Sequence, residues 1–311
     1  MAKRTSERRG TKPRPARRPA GRRETPWYRK PATWGWLLGV GVIAGILAFA
    51  VLNRGHVEQA SEPFVGGDLH SLVASPTESS RLYVGGHEGV AVSTDEGTTW
   101  RQLESLDGAD AMGWAFSEER ILVGGHPGMF VSMDGGRTFE TRNEGLPATD
   151  IHAVGAGGGV IYAASPAAGV FASTDGGLTW EMRTAQVGQS FMGRILVDPA
   201  DPEHVVAPDM QFGAVESRDG GRTWRPLGGP QGVMWISWNP DDPTQLVASG
   251  MSGAATSSDG GKTWQPITVP AGATIVEVDP ERPETMYAAG LEGTTAEVWV
   301  SRDGGGTWTR P

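Results

Sequence analysis

An all-β fold is predicted for this 311-residue chain: a ring of six four-stranded antiparallel blades, preceded by one transmembrane helix. Three observations carry that prediction. One eight-residue turn pattern recurs six times at intervals of 39 to 44 residues. The 46 glycines and 12 tryptophans are spaced as tight turns and apolar plugs between short strands. Residues 34–52 form a 19-residue run without a charge.

The N-terminal 33 residues carry twelve Lys or Arg against Glu7 and Glu24, and have almost nothing to bury. Such a segment reads as a disordered, basic tail. The rest of the chain holds 15 basic and 34 acidic residues, a balance of −19, which argues against nucleic acid as its partner.

The run Trp34–Leu52 spans about 29 Å as a helix, close to the hydrocarbon thickness of a bilayer. Trp34 and Trp36 stand where interfacial aromatics belong, and basic residues crowd the N-terminal flank. The positive-inside rule then predicts a cell-membrane location, single-pass, with the N-terminus cytoplasmic and the propeller extracytoplasmic. A cleaved signal peptide is the competing reading, since Ala48-Phe49-Ala50 resembles a cleavage site, although the basic region is long for one. The pairs Gly35/Gly39 and Gly41/Gly45 have the spacing that packs membrane helices, which raises a homodimer through that helix. A short linker, 53–63, follows, and 64–311 forms the propeller. There is no Cys, so neither disulfides nor thiolate metal sites arise.

The repeated turn reads S-x-D-x-G-x-T-[W/F], with aspartates Asp95, Asp134, Asp175, Asp219, Asp259 and Asp303. Asp accepts hydrogen bonds from backbone N–H groups of its own turn, glycine permits the positive φ of a tight hairpin, and the closing aromatic is an apolar plug. A period in the low forties made of short strands is the signature of propeller blades. In the first blade LHSLVAS, RLYVGG, GVAVST and TWRQL read as four strands; the last blade begins at Thr274.

These six copies are identified as Asp-box (BNR) repeats, and 64–311 resembles propellers of the sialidase, sortilin-ectodomain and photosystem II assembly-factor type. The motifs Asp110-Ala111-Met112-Gly113, Gly125-His126-Pro127-Gly128 and Asp150-Ile151-His152 are similar to those of exported bacterial propellers called glycosylhydrolase-like. The resemblance implies that the six aspartates are structural, on the turn between third and fourth strands and away from the ligand face. A sialidase would need three clustered arginines and a Tyr–Glu nucleophile pair. Tyr83, Tyr162 and Tyr287 share one second-strand register, which reads as core, and Arg194 in MGRIL is the nearest approach to an arginine motif.

Propeller topology puts the start of each first strand and the turn between the second and third strands on one face. Those positions carry Asp68, His70, His87, Asp110, Met112, His126, Asp150, His152, Met192, Asp209, Met210, Met234 and Met251. Three readings of this face stay open. In one, His, Met and Asp cap strands and bind neighbouring loops. In another, His70, His87, His126 and His152 hold copper or zinc, with thioethers favouring Cu(I). In the third, the face is a carbohydrate or small-ligand pocket; a ligand there, protein or glycan, would bind across His70, His87, Met112, Trp114, His126, His152, Met192, Met210 and Trp235. There Trp114 and Trp235 would be stacking surfaces, and Asp68, Asp110 or Asp150 the catalytic groups if the protein is a glycoside hydrolase. Trp114, Trp235 and Trp238 would equally fill spaces between blades. The preferred function is a membrane-anchored, non-catalytic binding or scaffold module. His56, in the linker, and His204, in a turn on the opposite face, carry no signal.

Overall fold

The computed structural model describes residues 62–117 and 120–311. The expected tail, membrane segment and most of the linker lie outside those residues, and no described helix is long and apolar enough to cross a membrane. What is described is a six-bladed β-propeller.

Blade one is β1 (Leu69–Ala74), β2 (Leu82–Gly86), β3 (Val90–Ser93) and β4 (Arg101–Gln102), and blade two β5 (Gly113–Ser117), β6 (Arg120–Gly125), β7 (Gly128–Ser132) and β8 (Glu140–Thr141). Blade three is β9 (Ala153–Gly157), β10 (Val160–Ser165), β11 (Gly169–Ser173) and β12 (Glu181–Thr184). In blade four the inner strand is split into β13 (Gly193–Arg194) and β14 (Leu196–Val197), followed by β15 (Val205–Asp209), β16 (Gly213–Ser217) and β17 (Arg225–Gly228). Blade five is β18 (Val233–Asn239), β19 (Asp242–Gly250), β20 (Gly253–Ser257) and β21 (Gln265–Ile267). Blade six has β22 (Ala273–Val278), β23 (Met286–Glu292) and β24 (Thr295–Ser301), with its fourth strand reduced to a bridge between Val300 and Thr309.

The repeated turn joins the third and fourth strands of each blade, and its hydrogen bonds explain its sequence. In all six copies the Ser hydroxyl donates to an Asp oxygen at 2.7–2.8 Å and accepts from the N–H of the Gly four residues on at 2.8–2.9 Å. The Thr backbone N–H donates to the same Asp oxygen, and its hydroxyl to the other one. The indoles of Trp100, Trp224 and Trp264 donate back to the turn's glycine carbonyl. One turn thereby meets nearly all its own polar needs, which is why it can recur in blades whose other residues differ. Tyr83, Tyr162 and Tyr287 are buried and share one register, one residue after the position facing the turn's Ser, as the sequence predicts.

Two features depart from six identical antiparallel sheets. In blade four, Gly193 and Arg194 pair in parallel with Ala153 and Val154 of β9, so neighbouring inner strands are hydrogen-bonded to one another. Gly155 makes room for this, because a Cβ there would lie 2.1 Å from the Ile195 carbonyl oxygen. At the ring's seam, Phe64 bridges to Thr295, Ala296 N–H donates to the Pro63 carbonyl at 2.9 Å, and Val65 and Gly66 N–H groups donate to the Thr294 carbonyl. Pro63–Gly66 and Thr309 therefore lie against β24 from opposite ends of the chain, which couples the first blade to the last.

Candidate functional site

The strand-start loops of blades one to three and the turns after β2 and β6 interlock on one face of the ring. The His87 N–H donates to the Asp68 carbonyl, Asp110 N–H to the His126 carbonyl, and Ile151 N–H to the Gly125 carbonyl. Glycines ending the second strands allow this approach: a Cβ on Gly125 would fall 1.7 Å from the Asp110 carbonyl oxygen, and one on Gly86 2.0 Å from that of Asp68. The backbone thus brings Asp110 to the histidines of blade one and Asp150 to His126 of blade two.

Histidines and aspartates alternate across three blades. His70 Nε2 lies 3.0 Å from Asp110 Oδ1 and 3.9 Å from Asp68 Oδ2. His87 Nδ1 stands 3.3 Å from Asp110 Oδ2, with His126 Nδ1 3.9 Å from the same oxygen. On its other side His126 Nε2 is 3.3 Å from Asp150 Oδ1, which His152 Nε2 also approaches at 2.9 Å. The four histidines singled out in the sequence are thus linked in one chain, with Asp110 joining His70, His87 and His126 and Asp150 joining His126 and His152. His70 and Asp110 are more than nine-tenths buried, whereas His87 and His126 are exposed.

Burial alone would raise the Asp110 carboxyl, but His70 and His87 outweigh it and hold it below the ordinary carboxylate range. His152 is depressed chiefly by burial, against the opposing pull of Asp150. The close approaches do not all align as hydrogen bonds: His70 Nδ1, Asp110 Oδ1 and Asp150 Oδ1 are buried without a hydrogen-bond partner. One ligand atom from each of His70, His87 and Asp110 falls within 4.8 Å of the other two. His126 and His152, named with them from the sequence as metal ligands, are outside that group, and it contains no sulfur.

Several expected binding residues sit elsewhere. Trp114 and Trp235 have no exposed surface and are not available as stacking platforms. The Trp114 indole donates to Ser71 Oγ and packs 4.9 Å from the Tyr83 ring, while that of Trp235 donates to Glu277 Oε2. Alternation along a strand does not reveal that in a ring both of its faces are covered, each by a neighbouring blade. Met112 is also buried, Met192 and Met234 are half-buried, and Met210 and Met251 are exposed.

Three features escaped the sequence. Phe212, beside Met210 in the turn after β15, is 60% exposed. Glu277 is fully buried on the axis, in contact with Arg194 of blade four at 2.9 Å. Its signal was a lone carboxylate among apolar residues in T-I-V-E-V. His204 is held between Asp198 at 3.1 Å and Glu216 at 2.9 Å on the opposite face, buried despite its turn-like sequence.

With this geometry in hand, comparison with known proteins shows the fold. No family model matches the chain, and no curated protein matches it either. Among solved structures, the GH74 xyloglucanase from Xanthomonas campestris is 19% identical, with a TM-score of 0.55 over 81% of this chain and 46% of that one. YCF48 from Cyanidioschyzon merolae is 17% identical, with a TM-score of 0.53 over 82% and 88%, and a structure of YCF48 bound to D1 peptide gives 17% and 0.51 over 81% and 84%. The gluconolactonase XC5397 from Xanthomonas campestris is 15% identical, with a TM-score of 0.60 over 82% and 92%. The chain spans about half the length of the GH74 enzymes it matches, 46% and 47%. What it shares with all of them is the propeller; they include both hydrolases and a peptide-bound protein, so activity has to be argued from the face itself.

Proposed function

We propose that this chain is a non-catalytic binding propeller that takes a protein or peptide segment across its loop face. The observation that carries the reading is the face's division: His and Asp over blades one to three, and the exposed apolar side chains Met210, Phe212 and Met251 over blades four and five. Exposed apolar side chains beside a polar border are what a protein partner desolvates, and Met adapts its shape to varied contacts. A similar propeller bound to a peptide supports it by analogy of fold. From the sequence, the module would be tethered by residues 34–52 and exposed outside the cell membrane.

The hydrolase alternative rests on Asp68, Asp110 and Asp150. A general acid in glycoside hydrolysis needs a raised carboxyl, whereas Asp110 is held low by two histidines. The acid that burial does push up, to about 7, is Glu277, which no substrate reaches because it has no exposed surface.

The test is to probe an immobilised peptide library with the wild-type chain and with the Phe212→Ser/Met251→Ser double variant. Selective binding to a subset of peptides, lost in the variant, is the expected result. No selective binding, or binding that the variant retains, overturns the reading. Turnover of xyloglucan or another glycoside that Asp110→Asn or Asp150→Asn abolishes would establish the hydrolase instead.

A further inference from the structure

We infer that His70, His87 and Asp110 form a binding site for a divalent first-row transition metal. The inference stands apart from peptide binding, because it rests on different residues of the face and is tested with the metal alone.

The three ligand atoms converge from three separate backbone segments: the start of β1, the turn after β2, and the loop entering β5. In a tetrahedral site with bonds of about 2.0–2.2 Å, ligand atoms stand about 3.3–3.6 Å apart. Asp110 offers Oδ1 at 3.0 Å from His70 Nε2 and Oδ2 at 3.3 Å from His87 Nδ1, and with one ligand atom taken from each residue no pair exceeds 4.8 Å. Side-chain rotation is enough to complete the closure, since His87 is largely free in solvent.

A second observation is independent of those distances. Asp110 Oδ1 is buried without a hydrogen-bond partner, on a side chain only 7% exposed, against a His70 only 8% exposed. Buried polar atoms are normally satisfied, and an unpartnered Asp110 oxygen 3.0 Å from His70 Nε2 is what a cation held between them would relieve. A purely structural Asp110 would instead be expected to accept well-aligned hydrogen bonds from both histidines.

The ligand chemistry narrows the metal. Two imidazoles and one carboxylate suit Zn(II), Co(II), Ni(II), Cu(II) or Fe(II); Ca(II) and Mg(II) prefer oxygen alone, and Cu(I) prefers the sulfur this group lacks. The exposed edge at His87 leaves a coordination position open to solvent or to a ligand. His126 stands beside it, its Nδ1 3.9 Å from Asp110 Oδ2 and its Nε2 in contact with Asp150. A carboxylate behind a histidine is the arrangement that orients a metal-binding ring, so Asp150 is assigned as a positioning residue for His126 as a further donor.

The experiment uses the full chain in detergent, stripped with chelator and titrated calorimetrically with ZnCl2, and in parallel with CoCl2 followed by visible absorption. One zinc per chain and a Co(II) d–d band are expected. His87→Ala, at an exposed position that folding does not need, should weaken zinc by at least about tenfold, as should Asp110→Asn. Asp242→Asn, on the opposite face, should leave the affinity unchanged. Absence of stoichiometric zinc in the wild type, or full affinity in His87→Ala with circular dichroism intact, overturns the assignment.

Discussion

Replacing Glu277 with Gln isolates what a carboxylate on the axis does to the stability of the ring. Glu277 lies in β22 of blade six and is contacted from three other blades. Arg194 reaches it at 2.9 Å from blade four, the Trp235 indole N–H at 2.9 Å from blade five, and the Ala74 N–H at 3.4 Å from blade one. Burial pushes its carboxyl from 4.5 up to about 7, with Arg194 opposing the rise. An acid raised on folding binds its proton more tightly in the native state. Its contribution to stability is therefore complete below pH 4.5 and is lost as pH climbs through about 7. At 1.36 kcal/mol per pH unit, the interval from 4.5 to about 7 sets a ceiling of about 3.4 kcal/mol. Gln keeps an acceptor for Trp235 and Arg194 but cannot titrate. Its own cost, from one misplaced N–H donor, is about 1–3 kcal/mol and does not change with pH. Denaturant unfolding of both proteins at pH 5 and pH 8 reads the difference. The wild type should lose about 2–3 kcal/mol more than Glu277→Gln over that interval, with the titrating histidines cancelling between the two proteins. An equal gap at both pH values would refute the reasoning: Arg194 would then be holding Glu277 charged throughout, as a net-favourable buried pair.

Ser217→Ala strands the Gly221 N–H and frees Asp219, and is expected to cost about 1–3 kcal/mol by denaturant titration; exposed Ser258→Ala should change stability by less than about 0.5 kcal/mol. Hydrogen bonds from Thr223, Thr263 and Thr307 hold Asp219, Asp259 and Asp303 at about 2, overcoming desolvation where that opposes them. Their contribution is present above the ordinary value of 3.8 and is lost as pH falls toward 2, so acid unfolding followed by circular dichroism should steepen in that window; undiminished stability at pH 2 would contradict it. At the seam, Val65→Asp places a charge at a fully buried position, and should speed hydrogen exchange of the Ala296 amide, which otherwise donates to Pro63.

How far the sequence could be read follows from the range over which each feature is satisfied. The repeated turns were legible because donor and acceptor lie within four residues: Thr263 closes on Asp259 whatever the rest of the blade does. The loop-face histidines were legible for a related reason. A repeat transfers position as well as sequence, so His70 and His152, or His87 and His126, had to emerge on one side once the blades were aligned. What the repeat does not transfer is the contact between unlike blades. Asp110 becomes the hub because Gly125 lets its loop lie close and the Ala111 N–H bonds the Gly86 carbonyl of blade one, beside His70 and His87. The Arg194–Glu277 pair joins residues 83 apart from two non-adjacent blades, and β13 turns aside from its own blade to pair with β9. Phe212 was missed for a different reason. An apolar residue next to a strand reads as core or cap, and only the assembled face shows that no loop covers it. The residues repeated in every blade hold the ring, whereas those that break the repeat, Asp110, Phe212 and Glu277 among them, give the face and the axis their individual chemistry, and a variant series at these positions separates binding from folding.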